Sequence, residues 1–245
     1  MPVRLRDAFG GAGSVLARYA AGLSCVEINS SFYRPHRRET YARWAQEVPA
    51  GFRFAVKLPQ AITHDLRLRG ALRLLDEFLA QACGLGPAMG PLLVQLPASF
   101  HYDGRTAGGF FRALRARHPG PVVCEPRHAS WFGPRALALM AAARIGLVGA
   151  DPACCPAAAR PVVADRVAYY RWHGSPRKYW SPYGEARLAP LAAEILGHGD
   201  AGVTSWCILD NTASQAAAHD ALALQSMLRR ARVTSAKRTA TSPFP

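Results

Sequence analysis

A TIM-type (β/α)8 barrel is the fold this sequence predicts, and three observations carry the prediction. The chain has 245 residues, half of them hydrophobic, which suits one large domain better than two small ones. Strand-like and helix-like runs alternate from one end to the other, the pattern of parallel strands with helices outside. No G-x-G-x-x-G follows a strand, so the doubly wound alternative lacks its usual phosphate loop.

The strand-like runs, in order, are "CVEINSS", "FRFAVKLP", "PLLVQLP", "PVVCEPRH", "IGLVGAD", "AYYRWHG" and "SWCILDN". That is one short of eight. Nothing before Gly11 reads as a convincing strand, and "MPVRL" is short and carries two arginines, so the first strand is expected to be absent or degenerate. Helical runs lie between. "GSVLARYAAGL" precedes the first strand and "RRETYARWAQEV" follows it. "RLRGALRLLDEFLAQACGL" sets Leu68, Leu72, Leu75 and Leu79 on one helical face. "GGFFRALRARH", "PRALALMAAARI", "ARLAPLAAEILGH" and "SQAAAHDALALQSMLRRA" continue the series, while the Pro-rich stretch Pro152 to Pro161 reads as loop. Residues 1–230 are expected to form a single barrel domain and 231–245 a basic, disordered tail.

Composition narrows the function classes. No apolar run approaches the roughly 20 residues of a membrane helix, and the N-terminus has no apolar signal core. The six cysteines form no C-x-x-C pair, and Cys25, Cys124 and Cys207 sit inside apolar runs. Buried thiols in a cytoplasmic protein are the expectation. The net charge of +14 invites a nucleic-acid partner, but the basic residues are mostly arginines scattered along the chain.

Side chains alternate across a strand, so parity sorts them. Val26 and Ile28 should meet the helices, which sends Glu27 and Asn29 into the barrel. Phe52, Phe54, Val56 and Leu58 likewise leave Lys57 inward. The same reading places Gln95, Glu125, Arg127, Asp151, Arg171 and His173 inward, and His128 toward the helices. The last strand is ambiguous, and Asn211 rather than Asp210 is taken as inward. Nearly every strand thus ends in a polar group at its C-terminal end, where barrel enzymes build their sites.

The motifs "VEINSSFYRP", "WAQEVPAGFRFAVKLPQAITH", "GPLLVQLPASF", "EPRHASWF", "YYRWHG" and "LDNTA", spread from about Tyr19 to Leu228, resemble the DUF72 (YecE-like) family. The resemblance implies a TIM barrel and supplies no reaction. Three departures stand out. The family's opening G-T-S-G-W-S strand is missing, "EPRH" puts Pro126 in what reads as strand, and "LDNT" puts Asp210 where an asparagine is usual.

The inward set suggests chemistry. Arginine forks and a lysine suit phosphate or carboxylate oxygens, so a small anionic ligand is expected at Lys57, Arg127, Arg171 and His173. Glu27 and Glu125 are the acid/base candidates, with His173 as a third catalytic candidate. Asn29, His64, Gln95, Asp151, Tyr179, Tyr183 and Asn211 complete the expected binding residues. A divalent metal is the cofactor that His64, His128 and His173 with Glu27, Glu125 and Asp151 could hold, though no H-x-H or H-x-x-x-H spacing occurs. Three readings stay open: a hydrolase or acid/base enzyme on a phosphate-bearing substrate, a nucleic-acid-binding protein or metal-dependent nuclease, and a non-catalytic family member.

Overall fold

The computed structural model describes residues 9–10 and 12–240, with side chains through residue 233. The strands are β1 (Cys25–Ile28), β2 (Arg53–Lys57), β3 (Met89–Gln95), β4 (Val122–Glu125), β5 (Gly146–Leu147), β6 (Gly149–Asp151), β7 (Val167–Trp172) and β8 (Thr204–Leu209). All pair in parallel, in the orders β1-β2-β3-β4-β5 and β6-β7-β8. β5 and β6 are one strand interrupted at Val148, whose amide still bonds Cys124 O of β4 at 2.9 Å. The described residues therefore supply seven strand positions of a TIM-like barrel. The "MPVRL" segment lies outside the described residues.

The helices are α1 (Val15–Gly22), α2 (Ser30–Tyr33), α3 (Arg38–Gln46), α4 (Leu72–Ala82), α5 (Gly104–Arg117), α6 (Pro134–Ala142), α7 (Gly184–Asp200) and α8 (Ala216–Ala240). Alternation builds two separate apolar layers. Phe54, Val56, Leu92, Val94, Val122 and Cys124 point out and pack under α3 to α6 with Tyr41, Leu75 and Phe111. Ala55, Leu93, Val123, Val148, Val167, Tyr169 and Trp206 point in and fill the lower barrel. Fully burying one such Leu or Phe side chain is worth about 1.5–3 kcal/mol. Gly90 shows how tight the inner layer is: a Cβ there would sit 2.5 Å from the Trp206 indole.

Several sequence expectations are corrected. The first strand stops at Ile28 instead of running through Ser31. The Ser31 hydroxyl donates to Ile28 O at 3.0 Å and to Lys57 O at 2.7 Å, and such local bonds favour a helical turn over a ladder. Pro126 falls just past the end of β4, so it costs the sheet no donor. Leu68 lies in a turn with φ +68° and Leu72 is exposed; the buried stripe of α4 is Leu75, Phe78 and Ala82. The basic segment from 231 is helical as far as Ala240, in keeping with its Ala, Arg and Lys content, while 241–245 lie outside the described residues. The six cysteines are free thiols. Among the described residues, no helix is long and apolar enough to cross a membrane.

Candidate functional site

Above the apolar plug the interior turns polar, and the change happens within two residues on each strand. On β7, Val167 and Tyr169 belong to the plug, and Arg171 is the next inward residue. On β4, Val123 is followed by Glu125; on β2, Ala55 by Lys57.

Arg171 is the hub, and it is buried. Its Nε donates to Glu27 Oε2 at 3.0 Å and its Nη2 to Glu27 Oε1 at 2.8 Å, a two-pronged fit to one carboxylate. Its remaining Nη1 donates to Glu125 Oε2. Tyr169, one step below on the same face, adds a hydroxyl bond to Glu27 Oε2 at 2.8 Å. Glu125 also receives Arg127 at 2.6 Å. Burial alone would push the Glu125 carboxyl up, but Arg171, His173 and Arg127 together hold it well below the usual carboxylate range. Burial would likewise lower Arg171, and Glu27 and Glu125 raise it instead.

His173 sits between two carboxylates. Its Nδ1 lies 3.1 Å from Asp210 Oδ2, and its Nε2 lies 3.0 Å from Arg127 Nη2 and 3.3 Å from Glu125 Oε1. A guanidinium can only donate, so the Arg127 contact requires Nε2 as acceptor and the ring proton on Nδ1, facing Asp210. A second proton on Nε2 would instead donate to Glu125.

Lys57 differs from the other cations. Its side chain is buried and its ammonium stands 3.8 Å over the Phe32 ring. No hydrogen-bonding or ion-pair partner meets it among the described residues. Burial and the charge of Arg171 lower its pKa to about 8, with Glu27 and Glu125 pulling the other way.

The remaining expected residues divide. Gln95 ends β3 in register with Glu125 and shares the mouth. His64 follows β2, its ring edge on Phe32 and its Nδ1 2.9 Å from Thr63 Oγ1; burial, then Lys57, lowers its pKa. Tyr179 sets its ring edge against His173, at 5.6 Å between centroids. Asn29 lies at the rim beside Glu27 and Asp210, its Oδ1 buried without a partner.

Three expectations are corrected. Asp151 shares parity with Ile145 and Leu147, which face the helices, and it binds Arg187 of α7 instead of the cluster. Tyr183 is buried, its hydroxyl accepting from Gly174 N at 2.8 Å and donating to Asp151 O at 3.2 Å, so it pins the loop after β7. Asn211 donates to Ser181 O at 3.0 Å and to Asp220 of α8 at 2.7 Å, while Asp210 faces the mouth. Trp206 explains the swap. It fills the barrel interior, which turns Ile208 and Asp210 inward. The proposed metal set does not converge: His128 stacks on His101 at 3.8 Å, and no group of three such ligands forms a metal site among the described residues.

Sequence reasoning missed Tyr169 and Asp210. Tyr169 carried a signal, its shared parity with Arg171. Asp210 needed the knowledge that a tryptophan lies inside the barrel.

The comparisons agree with this architecture. The model described as "Protein of unknown function DUF72" matches residues 10–243. UPF0759 protein YecE of Escherichia coli K12 is 34% identical over 113 residues, a match spanning 42% of this chain and 42% of that protein. A DUF72 family crystal structure from Enterococcus faecalis V583 superposes with a TM-score of 0.74 at 21% identity, covering 91% of each chain. One from Thermotoga maritima gives 0.70 at 23% identity over 85% of each. The structural likeness speaks to the fold alone.

Proposed function

The chain belongs to the DUF72 family, and on that premise we propose that its barrel mouth binds a small anionic, phosphate-bearing substrate and acts on it by acid/base chemistry, hydrolysis included. The observation that carries the reading is Lys57, a buried ammonium at the mouth with an aromatic ring beneath it and no carboxylate against it. An incoming anion would supply the missing counter-charge. Arg127, with its Nε buried and unbonded, is the second donor available to it.

Roles follow from protonation. Glu27 spends its oxygens on Arg171 and Tyr169, and Glu125, held ionised by Arg171, His173 and Arg127, is a poor general acid. His173 is the better proton carrier, held by Asp210 and facing Arg127 and Glu125. Lys57, near pKa 8, could bind as ammonium or accept a proton as amine.

The test is calorimetric titration with inorganic phosphate and p-nitrophenyl phosphate, with release of nitrophenol followed in parallel. Binding should fall at least tenfold in Lys57→Met, and turnover should vanish in His173→Asn with binding retained. Equal phosphate affinity in wild type and Lys57→Met would sink the reading.

One observation favours a nucleic-acid ligand as the second reading. The loop after β7 exposes Tyr179 and Trp180 with Lys178 and Arg177 over their rings, at 5.0 Å and 4.5 Å. Aromatic faces with cations suit stacked bases. An oligonucleotide affinity that drops steeply with salt and is lost in Trp180→Ala would support it.

A further inference from the structure

Arginine carries almost all of the positive charge in this chain. Of its 30 lysines and arginines only three, Lys57, Lys178 and Lys237, are lysines. Lys178 stands exposed in the loop after β7, and Lys237 lies in α8. Lys57 is the one that ends a barrel strand, and it is buried. The two kinds of cation differ in chemistry. A guanidinium in a protein keeps its proton, whereas an amine that loses one becomes a nucleophile.

The surroundings of Lys57 favour that loss. Among the described residues no carboxylate lies within ion-pair reach to hold its proton, and the Phe32 ring lies 3.8 Å from its Nζ. Burial first, then the charge of Arg171, bring its pKa to about 8. A desolvated lysine beside another cation is the usual form of an activated amine.

His64 meets the same ring, at 4.9 Å between centroids. The Thr63 hydroxyl donates to Pro59 O at 3.2 Å, so it accepts from His64 Nδ1 at 2.9 Å. That leaves Nε2 as the bare lone pair of the ring, with no bond to another described residue. Burial, then the charge of Lys57, hold His64 below the ordinary imidazole pKa, so it is uncharged at neutral pH.

We infer that Lys57 forms a Schiff base with a phosphorylated aldehyde or ketone, and that His64 carries the proton. The inference rests on the reading that the mouth takes a phosphate-bearing anion, and it names the rest of that anion: a carbonyl group near the phosphate, as in a sugar phosphate. His64 Nε2 takes one proton from the Lys57 ammonium. The freed amine attacks the carbonyl carbon, the C=O π pair moves to oxygen, and His64 returns the proton there. A second proton passes from nitrogen by the same route to the hydroxyl, which leaves as water while the nitrogen lone pair closes the C=N bond. Ammonium and carbonyl thus become iminium and water, with no net change in charge. The iminium still answers the phosphate, and Arg127 Nε, buried and unbonded, is a second donor to it. Electron withdrawal by the iminium then makes the neighbouring C–H acidic, which gives the acid/base chemistry of the mouth a bond to work on.

The experiment is reductive trapping on the full chain. Dihydroxyacetone phosphate is added with sodium cyanoborohydride, which fixes an imine as a secondary amine, and intact mass and peptide mapping locate the adduct. The expected result is one adduct per chain at Lys57, slowed by inorganic phosphate, with Lys178 and Lys237 unlabelled over the same time. Dihydroxyacetone, which lacks the phosphate, should label at least about tenfold more slowly. His64→Gln should slow trapping by about a hundredfold. Calorimetric titration with inorganic phosphate is run on the same samples. Phosphate binding without an adduct at Lys57 overturns the Schiff base and leaves the anion reading standing, whereas absence of both removes the two together. Labelling of all three lysines at one rate also overturns it, since any amine would do as much. An unchanged rate in His64→Gln takes the proton from His64.

Discussion

On one side of the barrel mouth every charge is answered; on the other a lysine has only an aromatic face beneath it. The β4–β7 side packs Arg171 between Glu27 and Glu125 and ties in Tyr169, Arg127 and His173. The β2 side holds Lys57 over Phe32, with His64 against the same ring. Both cations are buried, and taking either out of water costs several kcal/mol. Arg171 recovers that cost from two carboxylates inside the fold. Lys57 does not, and the deficit appears as a lowered pKa. The lesson is that a buried charge marks a site by what it lacks: the matched side holds the strands in place, and the unmatched side is where a ligand has something to add.

The largest effect should come from breaking the matched side. Arg171→Met strips Glu27 of its only cation and leaves Glu125 with Arg127 and His173, and urea unfolding should report a loss of about 3–5 kcal/mol. A loss below about 1 kcal/mol would mean that the network contributes no more than surface pairs do. The same kind of change on the other side should have the opposite sign. Lys57→Met removes an uncompensated ammonium, and the protein should gain about 1–3 kcal/mol near pH 7 while losing phosphate binding.

The pH dependence sharpens the contrast. Lys57 titrates at about 8 when folded, against 10.5 unperturbed. Between those values the unfolded chain binds more protons, so this residue makes stability rise with pH across that window. Wild type should therefore gain on Lys57→Met from about pH 8 to 10.5, and parallel curves would remove the lysine as the cause. Affinity for phosphate should move the other way, falling as pH rises through about 8. The smallest effect is expected from Tyr169→Phe. It takes one hydrogen bond from Glu27 and leaves the Arg171 fork in place, so unfolding should shift by about 1 kcal/mol.

Much of this was readable in the chain. Period-two alternation put Glu27, Lys57, Glu125, Arg127, Arg171 and His173 on the inward face, and all six lie at the mouth. Alternation is a local property of backbone geometry, so it survives without tertiary information. It failed where the strand is short or interrupted. Asp151 follows the break at Val148, and Asn211 and Asp210 lie past the last ladder residue of β8.

By itself, then, the sequence determined the alternation of strands and helices and the inward direction of six mouth residues, because hydrophobic period and strand pleat act over a few neighbours. Only the tertiary structure decided which charges cancel. Glu27 and Arg171 lie 144 positions apart, and nothing in their local sequence says that they share two hydrogen bonds while the Lys57 ammonium has none among the described residues. That β1 and β8 share no ladder among the described residues is likewise a tertiary fact, since strand pairing is decided only when distant segments meet.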